Sequence, residues 1–409
     1  MTADLTNIIA KNQRVVSGMR PTGRMHLGHY FGALQNWLQL QHEQECLFFA
    51  GDLHALTTHY DDPALIKQST IEMIEDWLAA GLNPKACKIF IQSEVPEHTE
   101  LCSLLAMITP LSWLERVPTY KEQQNKLSHK DLTTYGFLGY PALMAADILV
   151  YRANLVPVGE DQLAHLELVR QIARRFNHLY GKEQDFQDKI TTAINKMGKK
   201  PAAMYQKLCK QYQEQGDVTA SKIGTALLDA QHNLSLGDRE RLQGYLEGTG
   251  KIILSEPAAL LTTTPKLLGV DGQKMSKSYH NSIFLTEAPD AVAKKVRNMV
   301  TDPARVKRTD PGTPEKCPVW QLHKLYSSDS DKDWVQQGCT TAGIGCLDCK
   351  KALSENIIVR HAPIRERAQD IKQDSTLVQN ILQEGRTAAR DIASDTLKTV
   401  KIAMGINHD

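Results

Sequence analysis

The stretch that decides the fold lies near the start of the chain and reads RVVSGMRPTGRMHLGH, residues 14–29. Its β-branched beginning predicts a short strand over 14–17, and the glycine- and proline-containing residues 18–23 predict a turn. Apolar residues then recur with helical spacing from about Leu27 to Leu40. This order of strand, tight turn and helix is typical of the first unit of an open α/β sheet.

The same alternation continues along the next hundred residues. Further apolar runs predict buried strands at 46–50, 88–92 and 155–158. Helical spacing lies between or after them, for example over 66–80 and over 161–176. Because strands that alternate with helices pair in parallel through right-handed crossovers, we expect a doubly wound parallel-sheet α/β domain.

The remainder of the chain has helical spacing and little strand pattern. We interpret the segment from about Lys182 to Gly250 as a helical insertion, and everything after about Ala288 as helical again. The predicted organisation is an N-terminal extension (1–13), an α/β catalytic domain (14–181), a helical insertion (182–253), the continuation of the α/β domain (254–286) and an all-α C-terminal domain (287–409).

Composition bounds the class of protein. Hydrophobic residues make up 42% of the 409 residues and charged residues 23%, which excludes a disordered, collagen-like or coiled-coil protein. The net charge of +1 argues against a general basic coating, although residues 294–308 hold six basic residues and one acidic residue. We interpret that strip as a local phosphate contact. No apolar run reaches membrane-spanning length and residues 1–13 lack a secretion signal, so we expect a cytoplasmic protein with no membrane partner.

The first candidate site is the loop that contains His26, Gly28 and His29. It lies where a strand ends and a helix begins, and a helix N-terminus at that edge of the sheet favours phosphate. Both histidines can donate to phosphate oxygens, and Gly28 leaves room for a base or a ribose against the backbone. The alternative is a pair of surface histidines beside a tight turn.

The second candidate site is the polar loop that contains Lys274, Met275, Ser276 and Lys277. Two lysines three residues apart can hold a polyphosphate as mobile point charges. Taken alone, the loop is more typical of a solvated basic turn.

The two loops together carry a family resemblance. The sequence HLGH at 26–29 resembles the HIGH signature of class I aminoacyl-tRNA synthetases, and KMSKS at 274–278 is identical to their second signature. The chain is most similar to the tryptophanyl-tRNA synthetases, from about Arg14 to Lys182 and again from about Ser255 onward. The helical insertion stands outside that resemblance.

The resemblance implies a Rossmann-like, HUP-type fold and a tryptophan–tRNA ligase. Such an enzyme activates L-tryptophan with ATP to tryptophanyl-adenylate and pyrophosphate, and then transfers the amino acid to the 3′ end of tRNA(Trp). It also implies Mg²⁺ with ATP, a homodimer, and an anticodon-binding role for the C-terminal domain. The residues implied as catalytic are His26, His29, Lys274 and Lys277. Those implied to bind ATP are Arg20, Gly28, His29, Gly159, Asp161, Gln162, Lys274, Met275, Ser276 and Lys277.

The choice of tryptophan depends on a second set of residues. The resemblance implies a tryptophan pocket formed by His54, Tyr140, Met144, Asp147 and Gln162. Asp147 would accept the indole N–H, and its position inside an apolar stretch argues against a surface carboxylate. Since phenylalanine would leave that acceptor unpaired, the pocket would discriminate strongly.

Half of the eight cysteines are clustered: Cys317, Cys339, Cys346 and Cys349 fall within 33 residues. Four thiolates suit Zn²⁺ and an iron–sulfur cluster equally well on chemistry, and four unligated thiols are the third alternative. The spacing resembles that of a subgroup of tryptophanyl-tRNA synthetases with a 4Fe–4S cluster, which implies that cluster here with zinc as the runner-up.

Two other classes of protein compete with the ligase. Small nucleotidyltransferases carry a histidine loop on this type of fold, but they lack the long helical C-terminal region. A synthetase-like RNA-binding or metal-sensing paralogue without aminoacylation activity is the second alternative, against which the intact histidines and lysines argue.

Overall fold

The computed structural model describes residues 13–117, 134–183, 185–215, 217–261, 267–374 and 376–408. The predicted N-terminal extension therefore lies, apart from Gln13, outside the described residues. The chain divides into two compact units. The first includes residues 18–91 and 261–386, and the second consists of 13–17, 92–260 and 387–409.

Five strands form one sheet in the described part of the chain. They are β1 (Arg14–Met19), β2 (Glu45–Ala50), β3 (Cys87–Ile91), β4 (Leu155–Val158) and β5 (Ala258–Leu261). The order is β3-β2-β1-β4-β5. β2 pairs in parallel with β3, and β1 pairs in parallel with β4, with Val15 opposite Leu155. The order reverses beside β1, so ligands are expected beyond its carboxyl end. The predicted doubly wound sheet is confirmed.

The helices fill the intervals between strands and the C-terminal half. The segment α1 (residues 27–40) is α-helical at Leu27–His29, π-helical at Tyr30–Leu34 and α-helical at Gln35–Leu40. The others are α2 (Asp52–His59), α3 (Pro63–Ala80), α4 (Glu97–Ala106), α5 (Leu111–Glu115), α6 (Tyr135–Leu149), α7 (Leu163–Tyr180), α8 (Phe186–Lys196), α9 (Lys199–Gln215), α10 (Val218–Asp229), α11 (Leu236–Leu246), α12 (Pro289–Asn298), α13 (Pro318–Tyr326), α14 (Asp329–Thr340), α15 (Cys346–Gln373) and α16 (Leu377–Met404).

The core of the first unit positions the turn after β1. Trp37 of α1 stacks on Phe48 of β2 with ring centroids 4.4 Å apart, and Trp77 of α3 meets Trp37 edge-on at 5.1 Å. All three side chains are almost fully buried. Aromatic side chains of this size dominate the energy of a core, so α1 and α3 are fixed against the sheet.

The segment predicted as a helical insertion contains α8 to α11 and has a core of its own in the second unit. Ten buried residues form it: Ile190, Ala193, Ile194, Met197, Tyr205, Cys209, Leu228, Leu234, Leu242 and Leu246. The chain enters and leaves this bundle at one point, where Lys251 N–H donates to the Gly181 carbonyl at 2.8 Å. A Cβ on Gly250 would lie 2.3 Å from that carbonyl oxygen, so the close approach requires glycine.

No helix among these described residues is long and apolar enough to cross a membrane.

Candidate active site

The loop over residues 21–30, which contains His26, Gly28 and His29, is called the histidine–glycine loop. Backbone hydrogen bonds to residues 283–285 hold it in place. Leu27 N–H donates to the Ile283 carbonyl at 3.0 Å, and Leu285 N–H donates to the Met25 carbonyl at 3.0 Å. The loop also places a glycine where a side chain would collide, because a Cβ on Gly28 would lie 2.8 Å from the His26 ring. Only glycine at this position therefore leaves the backbone open to close approach by a ligand.

His26 and His29 form a stacked pair, with ring centroids 3.7 Å apart and 17° between the ring planes. Burial, and next the charge of Lys277, lowers the pKa of His26 to about 4. Burial, then His26 and Lys277, holds the pKa of His29 well below its usual value. Both rings are therefore neutral at pH 7, and each carries one N–H donor and no positive charge. Both Nδ1 atoms are buried and have no hydrogen-bond partner among the described residues.

The structure brings Lys277 to the histidine–glycine loop. Its Nζ donates to the Gly23 carbonyl at 2.8 Å, to the Thr22 carbonyl at 3.0 Å and to the Thr22 hydroxyl at 3.3 Å. Burial lowers the pKa of Lys277 to about 8, against the opposing effects of Asp76 and Glu72. The two predicted phosphate loops therefore meet through this ammonium group, 255 residues apart in sequence from Thr22.

The other residues of the lysine loop have different surroundings. Lys274 is exposed, Ser276 is half-buried and Met275 is buried. The Ser276 hydroxyl lies 2.9 Å from that of Ser278. Arg20, directly after β1, is exposed.

Asp76 is a buried carboxylate beneath the histidine–glycine loop that sequence reasoning missed. It accepts from Met25 N–H at 2.7 Å and from the Arg24 guanidinium at 3.3 Å, and Thr286 donates to it at 3.3 Å. Burial raises the pKa of Asp76, and these hydrogen bonds lower it in part. In the sequence Asp76 is one polar residue in a helical pattern, so only tertiary packing reveals its partners.

Asn281 organises the lysine loop and was also missed. Its Oδ1 accepts from Ser276 N–H at 2.8 Å, and its Nδ2 donates to the Asp271 carboxylate at 2.8 Å and to the Lys274 carbonyl at 3.2 Å. The side chain is almost fully buried. A signal was present, since an asparagine three residues after KMSKS is a residue type that commonly fixes loops through backbone hydrogen bonds.

Asp147 lies on α6 in the second unit and is buried, as the sequence predicted. Its Oδ1 accepts from Gln92 Nε2 at 2.7 Å and lies 2.6 Å from His98 Nδ1. The other nitrogen of His98 lies 2.6 Å from the Tyr151 hydroxyl. Gln92, His98 and Tyr151 were not predicted, although Gln92 directly follows a parallel strand, where ligand-binding residues commonly lie.

The remaining predicted pocket residues are distributed over three elements. Tyr140 of α6 hydrogen-bonds His165 of α7 through its hydroxyl, and Met144 is half-buried on α6. His54 is half-buried on α2. In the turn after β4, Gln162 donates to Asp161 at 3.0 Å, and a Cβ on Gly159 would lie 2.7 Å from the Asp161 carboxylate.

The four clustered cysteines come together in the first unit. Cys317 and Cys349 pack against one apolar cluster formed by Trp320, Val335 and Ile344. Burial, and next its three neighbouring cysteines, raise the pKa of the Cys349 thiol to about 12. Nevertheless, no three or more His, Cys, Asp or Glu side chains in the described ranges are placed to hold a metal ion. The metal centre therefore stays a prediction.

The surroundings of these thiols contain hydrogen-bond donors and one close backbone approach. Arg305 donates to Cys339 Sγ at 3.7 Å, and His323 Nε2 lies 3.3 Å from Cys349 Sγ. A Cβ on Gly312 would lie 2.5 Å from Cys339 Sγ.

The basic strip over 294–308 has internal partners. Lys295 pairs with Glu287 at 2.6 Å, and Arg305 donates to the Ile344 carbonyl at 2.5 Å as well as to Cys339. Two of its six basic side chains therefore stabilise the fold.

A sheet of this order, a stacked histidine pair beyond β1 and a docked lysine loop agree with the class I aminoacyl-tRNA synthetases that the two signatures resemble. The chain matches the family described as tRNA synthetases class I (W and Y) over residues 10–213 and 239–362, so it belongs to that family. Of the predicted helical insertion (182–253), the match leaves only residues 214–238 uncovered, so the resemblance extends further than the motifs indicated.

The similar proteins specify the activity. The chain is 55% identical to a tryptophan–tRNA ligase of Ralstonia nicotianae, covering 97% of this chain and 99% of the relative. It is 42% identical to the corresponding ligase of Thermotoga maritima, covering 96% and 99%. A tryptophanyl-tRNA synthetase structure from Campylobacter jejuni, complexed with ADP and tryptophan, superposes with a TM-score of 0.72 at 26% identity, covering 96% and 99%. The predicted activity, tryptophan–tRNA ligase, is confirmed.

Proposed function

We propose that the histidine–glycine loop and the lysine loop hold ATP while the tryptophan carboxylate attacks its α-phosphorus and pyrophosphate leaves. The observation that carries this assignment is the docking of Lys277 on Thr22 and Gly23, next to two neutral histidines whose Nδ1 atoms have no partner among the residues that the structure describes. These groups form one donor-lined surface at the carboxyl end of β1. A carboxylate nucleophile is already ionised at pH 7, so the chemistry requires no general base.

Each residue then has a physical role toward the phosphates. His26 and His29 donate neutral N–H groups, Gly28 admits the adenosine, and Lys274 and Lys277 stabilise the negative charge. We assign ATP contacts also to Arg20, Gly159, Asp161, Gln162, Met275 and Ser276. Mg²⁺ would be held by the phosphate oxygens of ATP and would supply further neutralisation of their charge.

For tryptophan we propose that Asp147 accepts the indole N–H, with Met144, Tyr140, His54 and Gln162 around the substrate. The carboxylate has about four lone-pair positions, so it can bind Gln92, His98 and an indole together. Burial of Asp147 supports this role, because a charge-assisted hydrogen bond is strongest away from water.

At the four cysteines we propose a 4Fe–4S cluster, with zinc as the runner-up. The residues fit by type: the charges of the other three cysteines reach the Cys349 thiol, Gly312 leaves room beside Cys339, and Arg305 and His323 lie next to two of the sulfurs. When bound, the cluster would supply a structural crosslink between the start of α13 and the start of α15. Anaerobically purified protein is expected to absorb near 400 nm, whereas colourless protein with one equivalent of zinc would reverse the choice.

We further propose that 287–409 forms the anticodon-binding domain and that the enzyme is a homodimer. Light scattering of the purified protein tests the dimer directly.

The deciding experiment is tryptophan-dependent ATP–pyrophosphate exchange with the variant Lys277→Ala. We expect a loss of about a hundredfold or more, the effect of removing one group that stabilises developing charge. The matched control is Lys85→Ala, an exposed lysine in the same unit, which should leave the rate unchanged. Exchange at the wild-type rate in Lys277→Ala would remove this lysine from the mechanism.

A further inference from the structure

The helical insertion presents a set of lysines that the activation chemistry does not use. On α9 these are Lys199, Lys200, Lys207 and Lys210, all exposed. Since successive helix residues advance by about 100°, the four lie within about 100° of one another around the helix axis. The buried residues of α9, Tyr205, Leu208 and Cys209, lie on the opposite side. We call the exposed side the lysine face.

The lysine face is unpaired, in contrast to other cations of the insertion. Lys196 pairs with Asp238 at 2.7 Å, and Lys189 with Glu183 at 3.8 Å. None of the four lysines makes an ion pair or a side-chain hydrogen bond within the part of the chain that the structure describes. From Lys199 to Lys210 the helix contains no acidic residue. Four uncompensated charges on one side of one helix favour binding of a polyanion.

The geometry of the lysine face suits a nucleic-acid backbone. With a rise of about 1.5 Å per residue, Lys199 and Lys210 are about 16 Å apart along the helix. That length spans several phosphates, which repeat every few ångströms along a strand. A membrane surface fits less well, because interfacial helices insert an apolar face, and that of α9 is already buried in the core of the insertion.

We infer that the lysine face of α9 is a contact surface for the phosphate backbone of the tRNA that this enzyme charges. The inference rests on the ligase activity and adds a contact made by the insertion. Lysines bind phosphates as mobile point charges, so the contact contributes affinity and salt dependence rather than sequence recognition.

The test is the quadruple variant Lys199→Gln, Lys200→Gln, Lys207→Gln, Lys210→Gln. We expect its KM for tRNA in aminoacylation to rise about tenfold, and the slope of log kcat/KM for tRNA against log salt to become shallower by about two. Tryptophan-dependent pyrophosphate exchange requires no tRNA and should stay at the wild-type rate. The four side chains point away from the core, so a thermal melt should be unchanged.

The matched control replaces the same four lysines with arginine, which keeps the charges and should keep the KM for tRNA within about twofold. An unchanged KM and an unchanged salt slope in the glutamine variant would overturn the inference, whatever else the lysine face binds. Exchange at the wild-type rate in Lys277→Ala would instead refute the role of that lysine in activation and would leave the tRNA contact untouched. The two failures are therefore distinguishable.

Discussion

Replacing Asp76 with asparagine removes the negative charge beneath the histidine–glycine loop while it keeps the shape of the side chain. Asparagine can still accept from Met25 N–H, which now bonds the carboxylate at 2.7 Å. What disappears is the second acceptor oxygen, which binds Arg24 and Thr286, and a charge that raises the pKa of Lys277 against the effect of burial. The variant therefore tests how the protein keeps this lysine protonated.

The direction of the effect follows from the role proposed for Lys277. Its ammonium must be charged to hold phosphate. The value of kcat/KM for ATP should therefore be highest at lower pH and fall as the pH rises through the Lys277 pKa of about 8. One opposite charge in a partly buried site changes a pKa by about one or more. Without Asp76, the alkaline fall should begin near pH 7, and kcat/KM at pH 8 should drop about fivefold.

The assay is pyrophosphate exchange at low ATP concentration, measured from pH 6 to 9. Lys277→Arg is the matched control, because a guanidinium stays protonated and any remaining activity should lose the alkaline fall. An alkaline limb at the same pH in wild type and Asp76→Asn would refute the reasoning.

A thermal melt tests whether unfolding, rather than the lost charge, causes the drop in kcat/KM of Asp76→Asn. Burial raises the pKa of Asp76, so the folded state binds more protons than the unfolded state between the ordinary carboxyl pKa and the raised value. Stability therefore decreases as the pH rises through that window. Since asparagine carries no charge to desolvate, the melting temperature of the variant at pH 8 should not fall because of the missing charge.

Three further predictions concern the other groups of the site. Gly28→Ala places a Cβ 2.8 Å from the His26 ring, so the KM for ATP should rise at least tenfold with little change in the KM for tryptophan; equal changes in both would contradict the assignment. His98→Asn removes the imidazole that bridges Asp147 and Tyr151, so calorimetry should show tryptophan binding weaker by about 1–3 kcal/mol and unchanged ATP binding. An unaltered affinity for tryptophan would refute a role of this histidine in the pocket. Asn281→Ala removes the hydrogen bonds that shape the lysine loop, so kcat of pyrophosphate exchange should fall about tenfold or more. The rate of aminoacylation from preformed tryptophanyl-adenylate should stay unchanged, and a fall in both rates would contradict a role limited to activation.

The elements that could be predicted from sequence are those with a strong local pattern. The strand at 46–50 was predicted to within one residue because its contiguous apolar run is buried, and β4 matched its predicted bounds. β5 was missed because its short apolar run, mostly exposed, shows no alternation. The π-helical turn in α1 was missed because apolar spacing does not distinguish it from an α-helix.

The residues of the candidate site also fall into those with a local sequence pattern and those without one. The two short signatures are enough to predict His26, His29 and Lys277 as site residues, and the structure brings these three side chains together. Their electrostatic state was out of reach, because the low pKa of His26 arises from burial and from a lysine more than 200 residues away. Asp76 and His98 carry no local pattern at all, and only their contacts after folding assign them a role.

The joint at Gly181 and Lys251 has a consequence for how this chain can be altered. Because the insertion begins and ends side by side, removing it leaves a gap that one short turn can close. A single deletion in the gene would therefore remove the whole bundle, and a single insertion would add it, without disturbing the strands before and after it. The same joint is a natural place to graft a foreign domain, whose two ends need only be a few ångströms apart.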